Sequence, residues 1–157
     1  MTMVNQLPLP SLLVELIASK RWSVSGQSDL ERWTQFFQHG GLAVEGDMRI
    51  RLFSIDEMAE ATARLSQADF PVKVDPAWKG SIVNRFEPLS VIPERSIVIA
   101  DLLHCNRFPE KLIVPIVLDY QCSVEIPRVI CYPDDAFEQY WYEVSPSFKA
   151  FAAGLGL

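Results

Sequence analysis

Short runs of Val, Ile and aromatic residues fill the second half of this sequence, whereas helical apolar spacing dominates the first half. The runs are bounded by Pro, Asn and Asp, which is typical of strands. Five such runs lie in the second half. One more run, in the first half, alternates polar and apolar residues with the period of a half-exposed strand. We expect strands at residues 49–53, 81–86, 96–100, 113–119, 128–132 and 140–144. Helices followed by a series of strands predict an α+β fold with a mostly antiparallel sheet.

Four segments carry helix signals. Apolar residues share one face of the first, and capping-box patterns precede the second at Ser28 with Glu31 and the third at Ser54 with Glu57. Ser145 followed by Pro is an expected N-cap for the last helix. We expect helices at residues 11–20, at about 29–39, between 54 and 71, and from 146 onward. The prediction is four helices packed on a sheet of about six strands.

The length and composition of the chain indicate that residues 1–157 form one folded domain. A chain of 157 residues with 49% hydrophobic and 22% charged residues can bury a sizeable core, and it shows no repeat and no linker of low complexity. The formal charge of -6 has the wrong sign for holding a phosphate backbone. These features exclude a disordered chain and argue against direct nucleic-acid binding.

The apolar stretches, the N-terminal region and the cysteines lead us to expect a cytoplasmic protein that does not insert into membranes. The longest apolar stretch, 112–118, is far shorter than the roughly 20 residues that a spanning helix needs. Pro8 and Pro10 interrupt the N-terminal apolar region, which also lacks a basic start, so we expect no signal peptide. Three cysteines without a C-x-x-C pair fit a reducing compartment.

Motifs in a fixed order then resemble a known family. They are the aromatic helix 30–41 that ends in Gly-Gly, the strand-to-helix passage 51–58, and the C-terminal series 97–101, 116–120, 127–130, 142–151 and 155–157. This order resembles the SUKH superfamily, which groups bacterial immunity proteins with fungal Smi/Knr-type regulators of cell-wall synthesis. The resemblance covers most of residues 30–157. His39 departs from the family's usual Asn, and 102–110 replaces its usual Gly-containing turn.

The resemblance implies an α+β fold without catalytic chemistry or cofactor, used to bind another protein. In most members of the family that protein is a toxin delivered by a competing cell. A regulatory scaffold that binds a cellular protein, as in the fungal members, is an alternative within the same resemblance.

Negative charge is concentrated between Asp119 and Glu143. This stretch contains six acids and one base, Arg128, and so carries five of the six net negative charges. Charges on a solvated sheet edge discourage pairing between molecules, which is one interpretation. The other is an acidic and aromatic surface for a basic partner, such as a nuclease toxin domain, because opposite charge accelerates association. The predicted partner-binding residues are Asp119, Asp134, Asp135, Glu138, Tyr140 and Tyr142.

Enzyme chemistry has weaker support in the sequence. Asp101, His104 and Cys105, with Asp119 and Cys122, could ligate a metal, and a small metal-dependent hydrolase is the second alternative. Their spacing is not that of a zinc site, and neither a Gly-x-Ser-x-Gly elbow nor a Gly-rich phosphate loop occurs. We therefore expect no catalytic residue, no metal and no cofactor.

Overall fold

A computed structural model describes residues 1–39, 47–65, 81–84, 87–90, 92–105, 112–131 and 141–157. These residues contain four α-helices, the number expected: α1 (Ser11–Ala18), α2 (Gly26–His39), α3 (Ile55–Arg64) and α4 (Phe148–Gly154). The strands are β1 (Met3–Val4), β2 (Leu7–Pro8), β3 (Asp47–Leu52), β4 (Ser81–Asn84), β5 (Glu87–Ser90), β6 (Ser96–Cys105), β7 (Leu112–Asp119), β8 (Arg128–Cys131) and β9 (Trp141–Ser145). A 3₁₀ turn, Pro93–Arg95, precedes β6.

The main sheet has the strand order β3-β6-β7-β8-β9-β4-β5, and β1 and β2 form a separate hairpin. All neighbours in the main sheet are antiparallel except β4 and β9, which run parallel. The predicted α+β class and mostly antiparallel sheet are confirmed. Each of the six expected strands is present, and β1, β2 and β5 are additional.

Strand β6 is longer than the sequence indicated. Residues 102–105 were expected to begin a turn, but they continue β6 because both of its neighbours pair with them: His104 lies opposite Met48 of β3 and Leu112 of β7. Pairing on both sides satisfies the backbone groups that a loop would leave to water. Residues 106–110 of the expected turn lie outside the described residues.

Of the three N-caps expected from the sequence, at Ser28, Ser54 and Ser145, the first and the last are displaced. Helix α2 begins at Gly26 rather than after Ser28, because Gly26 adopts a positive φ of 79° and the Asp29 carboxylate accepts bonds from the Ser25 N–H (3.0 Å) and hydroxyl (3.2 Å). Helix α4 begins two residues after the position expected. Its N-cap is Ser147, whose Oγ accepts from the Ala150 N–H, while Ser145 ends β9.

The capping box of α3 forms as expected. The Ser54 Oγ accepts from the Glu57 N–H (3.3 Å), and the Glu57 carboxylate accepts from the Ser54 N–H (2.8 Å). This backbone bond, together with one from Arg51 at 2.8 Å, lowers the pKa of Glu57 to about 2. Helix α3 is fastened to the sheet from its other end, where the Thr62 Oγ1 accepts from the Val98 N–H of β6 (2.9 Å).

An aromatic layer joins α2 and α4. Neighbouring ring centroids lie 5.4–6.3 Å apart, mostly in edge-to-face or tilted pairs. The two helices approach so closely that a Cβ atom at Gly154 would overlap the Phe36 ring. The layer comprises Trp22, Trp33, Phe36, Phe37, Phe148 and Phe151.

The central strands are buried on both faces. Consecutive residues 97–100 of β6, 114–119 of β7 and 128–131 of β8 are all inaccessible or nearly so. Such strands have continuous apolar sequences rather than alternating ones. Pro115 fits inside β7 because it pairs with Asp101 of β6 but precedes the ladder to β8, which begins at Ile116 in the described residues.

Candidate functional site: the turn between β7 and β8

The acidic segment begins inside the sheet with a buried ion pair. The Arg128 Nε and Nη2 atoms each lie 2.6 Å from the Asp119 Oδ2 atom, and the two residues face each other across the β7–β8 ladder. The Arg128 Nη1 atom also lies 3.6 Å from the Glu143 Oε2 atom on β9. One guanidinium therefore bridges carboxylates on two flanking strands, which we call the Arg128 triad (Asp119, Arg128 and Glu143).

The triad removes Asp119 from the predicted partner-binding surface. Its side chain has no exposed area, and its second carboxylate oxygen accepts from the Gln121 N–H at 3.1 Å. A fully buried carboxylate cannot touch another protein, so we assign Asp119 a structural role. Glu143 is also engaged, with a quarter of its side chain exposed. Two of the six acids in 119–143 are thus engaged by Arg128, whereas the other four acids contribute four of the five net negative charges of this stretch.

The remaining predicted residues lie at the end of this segment. Asp134, Asp135, Glu138 and Tyr140 lie outside the described residues. Tyr142 occupies a position in β9 that pairs with Cys131 of β8 and Val83 of β4, and its side chain lies outside the described ones. The neighbouring Trp141 is buried, as expected for one of the two faces of this strand.

The loop that joins β7 to β8 exposes apolar side chains. Val124 is 57% exposed and Ile126 is 61% exposed, on either side of an exposed glutamate, Glu125. The Ser123 Oγ accepts from the N–H groups of Glu125 (3.2 Å) and Ile126 (3.0 Å), which fixes the backbone between them. We call residues 122–126 the β7–β8 turn.

Both ends of the β7–β8 turn are anchored. Before it, Tyr120 is buried, its N–H donates to the Arg95 carbonyl (2.8 Å) and its hydroxyl donates to the Pro8 carbonyl (2.6 Å). After it, the Pro127 carbonyl accepts from the Phe148 N–H at the start of α4 (3.2 Å). The turn is therefore held by the N-terminal hairpin, by the 3₁₀ turn before β6 and by α4.

Sequence reasoning missed the β7–β8 turn as a site. The signal was present in Ser123-Val-Glu-Ile, where a serine can accept from the amides two and three residues later while two aliphatic residues flank an acid. The count of charges drew attention to the acids instead, although it could not show which of them pair internally.

The alternative metal or hydrolase site combines three residues of β6 with Asp119 at the end of β7 and with Cys122. The side chains of His104 and Cys105 lie outside the described ones. Cys122 is exposed, whereas Asp119 is committed to Arg128. Burial raises the pKa of the Cys131 thiol to about 12, which disfavours its reactive thiolate form. Within the described part of the chain, no three His, Cys, Asp or Glu side chains group as metal ligands.

Asp101 has an unusual environment of its own. It is half-buried, lies opposite Arg51 in the β3–β6 ladder, and burial raises its pKa to about 6 despite the nearby charges of Arg51 and Arg64. Arg51 directs its guanidinium to Glu57 and over the Phe53 ring instead. Asp101 therefore holds an ionisable group without a dedicated partner in the described residues.

Comparison of the chain with protein-family models, with curated proteins and with solved structures finds no match. The resemblance to the SUKH superfamily accordingly stays a prediction from the sequence. Among the described residues, no helix is both long and apolar enough to cross a membrane.

Proposed function

We propose that this chain is a non-enzymatic protein-binding domain of the immunity type, which neutralises a toxin domain by covering its working surface. The observation that carries the proposal is the β7–β8 turn: two aliphatic side chains are left in water on a backbone that is fixed in place. Exposing apolar groups on a rigid turn gains nothing for the fold, but it suits a surface that meets another protein.

The charge of the same region supports a basic partner. Glu125 is exposed beside the two aliphatic side chains, and Asp134, Asp135 and Glu138 follow within the same acidic segment. Opposite charge on a partner raises the association rate and disfavours wrong partners. A nuclease toxin domain has this character, since the groove that takes its substrate must be cationic.

The test takes as candidate toxin domains the products of the genes that adjoin this one in the source organism. Reversing three acids with D134K, D135K and E138K should weaken binding of such a domain and flatten the dependence of affinity on salt. The matched control reverses three exposed acids on helices, with E15K, E31K and E60K, and should leave both quantities near those of the unaltered protein.

Co-expression provides the functional readout. The unaltered chain should restore growth of cells that produce the toxin domain, whereas the D134K, D135K and E138K variant should restore less. Failure of the unaltered chain to bind or to restore growth would reject the proposed function. So would turnover of a small molecule that disappears on replacing His104 or Cys105.

A further inference from the structure

We infer that the β7–β8 turn inserts the side chains of Val124 and Ile126 into an apolar cleft on the partner protein, whose rim carries Lys or Arg for Glu125. This inference rests on the proposed function and names the contact point and the chemistry that recognises it. Three properties of the turn carry it: exposure, rigidity and an uncompensated charge.

Exposure comes first. Large apolar residues that are exposed are few in the described part of the chain, namely Met1, Met3, Ile92, Val124 and Ile126. Two of these belong to one five-residue turn and are its most exposed apolar groups. Single exposed aliphatic residues are ordinary, but two on one fixed turn form a compact apolar projection. Such a projection fits a concave site better than a flat one.

Rigidity lowers the cost of binding. The Ser123 hydroxyl accepts two amide hydrogens inside the turn, and Tyr120 and Pro127 tie its ends to other elements. The Arg128 triad holds together the strands that lead into and out of it. A segment already ordered before binding loses less conformational freedom on association, so more of the contact energy appears as affinity.

The charge of the turn selects a basic rim. Arg128 is the only base in residues 119–143, and it is already engaged by Asp119 and Glu143. Within the described residues Glu125 makes no ion pair, and it is exposed and stands between Val124 and Ile126 in the sequence. A partner that buries Val124 and Ile126 comes close to Glu125, so a cation on its rim gains an ion pair, whereas an apolar rim would desolvate the charge at a large cost.

The experiment measures binding of the purified candidate toxin domain that the test of the proposed function selects. The double variant V124S with I126S should lose about 30-fold or more in affinity, mainly through faster dissociation. E125Q should lose about 3- to 10-fold and show a weaker salt dependence. The matched control, M3S with I92S, removes two other exposed apolar side chains and should stay within about twofold of the unaltered protein.

A measurement on the unaltered protein supports the variants. Hydrogen exchange at the amides of the turn should slow on adding the toxin domain. If the unaltered chain binds but V124S with I126S binds equally well, or exchange in the turn is unchanged, the inference fails while the proposed function stands. If the unaltered chain does not bind, the proposed function fails and the inference with it.

Discussion

Two regions of this molecule distribute polar and apolar groups in opposite ways. Between α2 and α4 the aromatic rings are buried, Phe36 only partly, and Arg32 and Lys149 are exposed. Between β7 and β8 a carboxylate and a guanidinium are buried, and Val124 and Ile126 face water. The first arrangement is what the hydrophobic effect produces unaided. The second costs stability twice, because charges lose hydration and apolar area keeps contact with water.

The difference separates what serves the fold from what serves a surface. Stability alone accounts for the aromatic layer, because burying each ring contributes roughly 1.5–3 kcal/mol. It does not account for the β7–β8 region, where an apolar replacement of the ion pair would do as well. Departures from the general rules of folding are concentrated at functional sites, so the β7–β8 region is where function should be sought.

The strongest test breaks the Arg128 triad. Arg128→Ala should lower the free energy of unfolding by about 3–5 kcal/mol, because the buried Asp119 carboxylate would lose its cationic partner and keep only the bond from the Gln121 N–H. Urea unfolding measures this change. The double variant D119L with R128M, which removes both charges, should recover most of that loss. If the single and double variants were equally unstable, the pair would be contributing packing rather than charge compensation.

Asp101 tests the same point with a carboxylate that lacks a dedicated partner. Its pKa is raised to about 6 from the ordinary 3.8, so the folded state keeps a proton that the unfolded state releases. The contribution of Asp101 to stability should therefore fall as pH rises from about 4 to 6 and level off above that. Relative to the unaltered protein, Asp101→Asn should remove this fall and raise the free energy of unfolding at pH 7 by about 1–2 kcal/mol. The same pH dependence in both proteins between about pH 4 and 6 would contradict this account.

Arg32 provides the corresponding test for the region between α2 and α4. Its guanidinium donates to the Leu155 carbonyl (3.1 Å) and to the Asp29 carboxylate (3.2 Å), linking α2 to the end of α4. Arg32→Ala should cost about 1 kcal/mol of unfolding free energy, much less than Arg128→Ala, because the Arg32 side chain is 45% exposed and its removal leaves no fully buried charge. Thermal unfolding of the two variants side by side gives the comparison, and equal losses would count against it.

The smallest effect on stability is expected at the β7–β8 turn. V124S with I126S should change the free energy of unfolding by no more than about 0.5 kcal/mol, since both side chains are already mostly in water. Chemical denaturation checks this. A large destabilisation would mean that the turn belongs to the core after all, and would undercut its use as a contact surface.

Much of the fold could be predicted because its signals are local. Alternation and β-branched runs located six strands, and Ser54 with Glu57 located the start of α3. The same capping pattern at Ser28 was wrong, because Gly26 and Asp29 offered an earlier start. Residues 102–105 were expected to begin a turn because the resemblance places one there, but pairing with β3 and β7 makes them part of a strand.

The candidate site was less predictable because it depends on register. Nothing in the spacing of Asp119, Arg128 and Glu143 indicates that they meet on three adjacent strands. The acids of 119–143 were counted correctly, but the prediction that Asp119 lies on the partner-binding surface was wrong, because its side chain is fully buried. The exposure of Val124 and Ile126 likewise depends on the position of the turn relative to the sheet, which the adjacent residues in the sequence do not determine.

The contact between Gly154 and Phe36 limits which residues related sequences can carry at these two positions. A methyl group at position 154 would occupy space that the ring already fills, so residue 154 cannot become larger unless the Phe36 ring moves or the two helices separate. In related chains with this architecture, a bulkier residue at 154 should be accompanied by a smaller one at 36. Such a paired substitution would help to identify homologues whose remaining sequence has diverged.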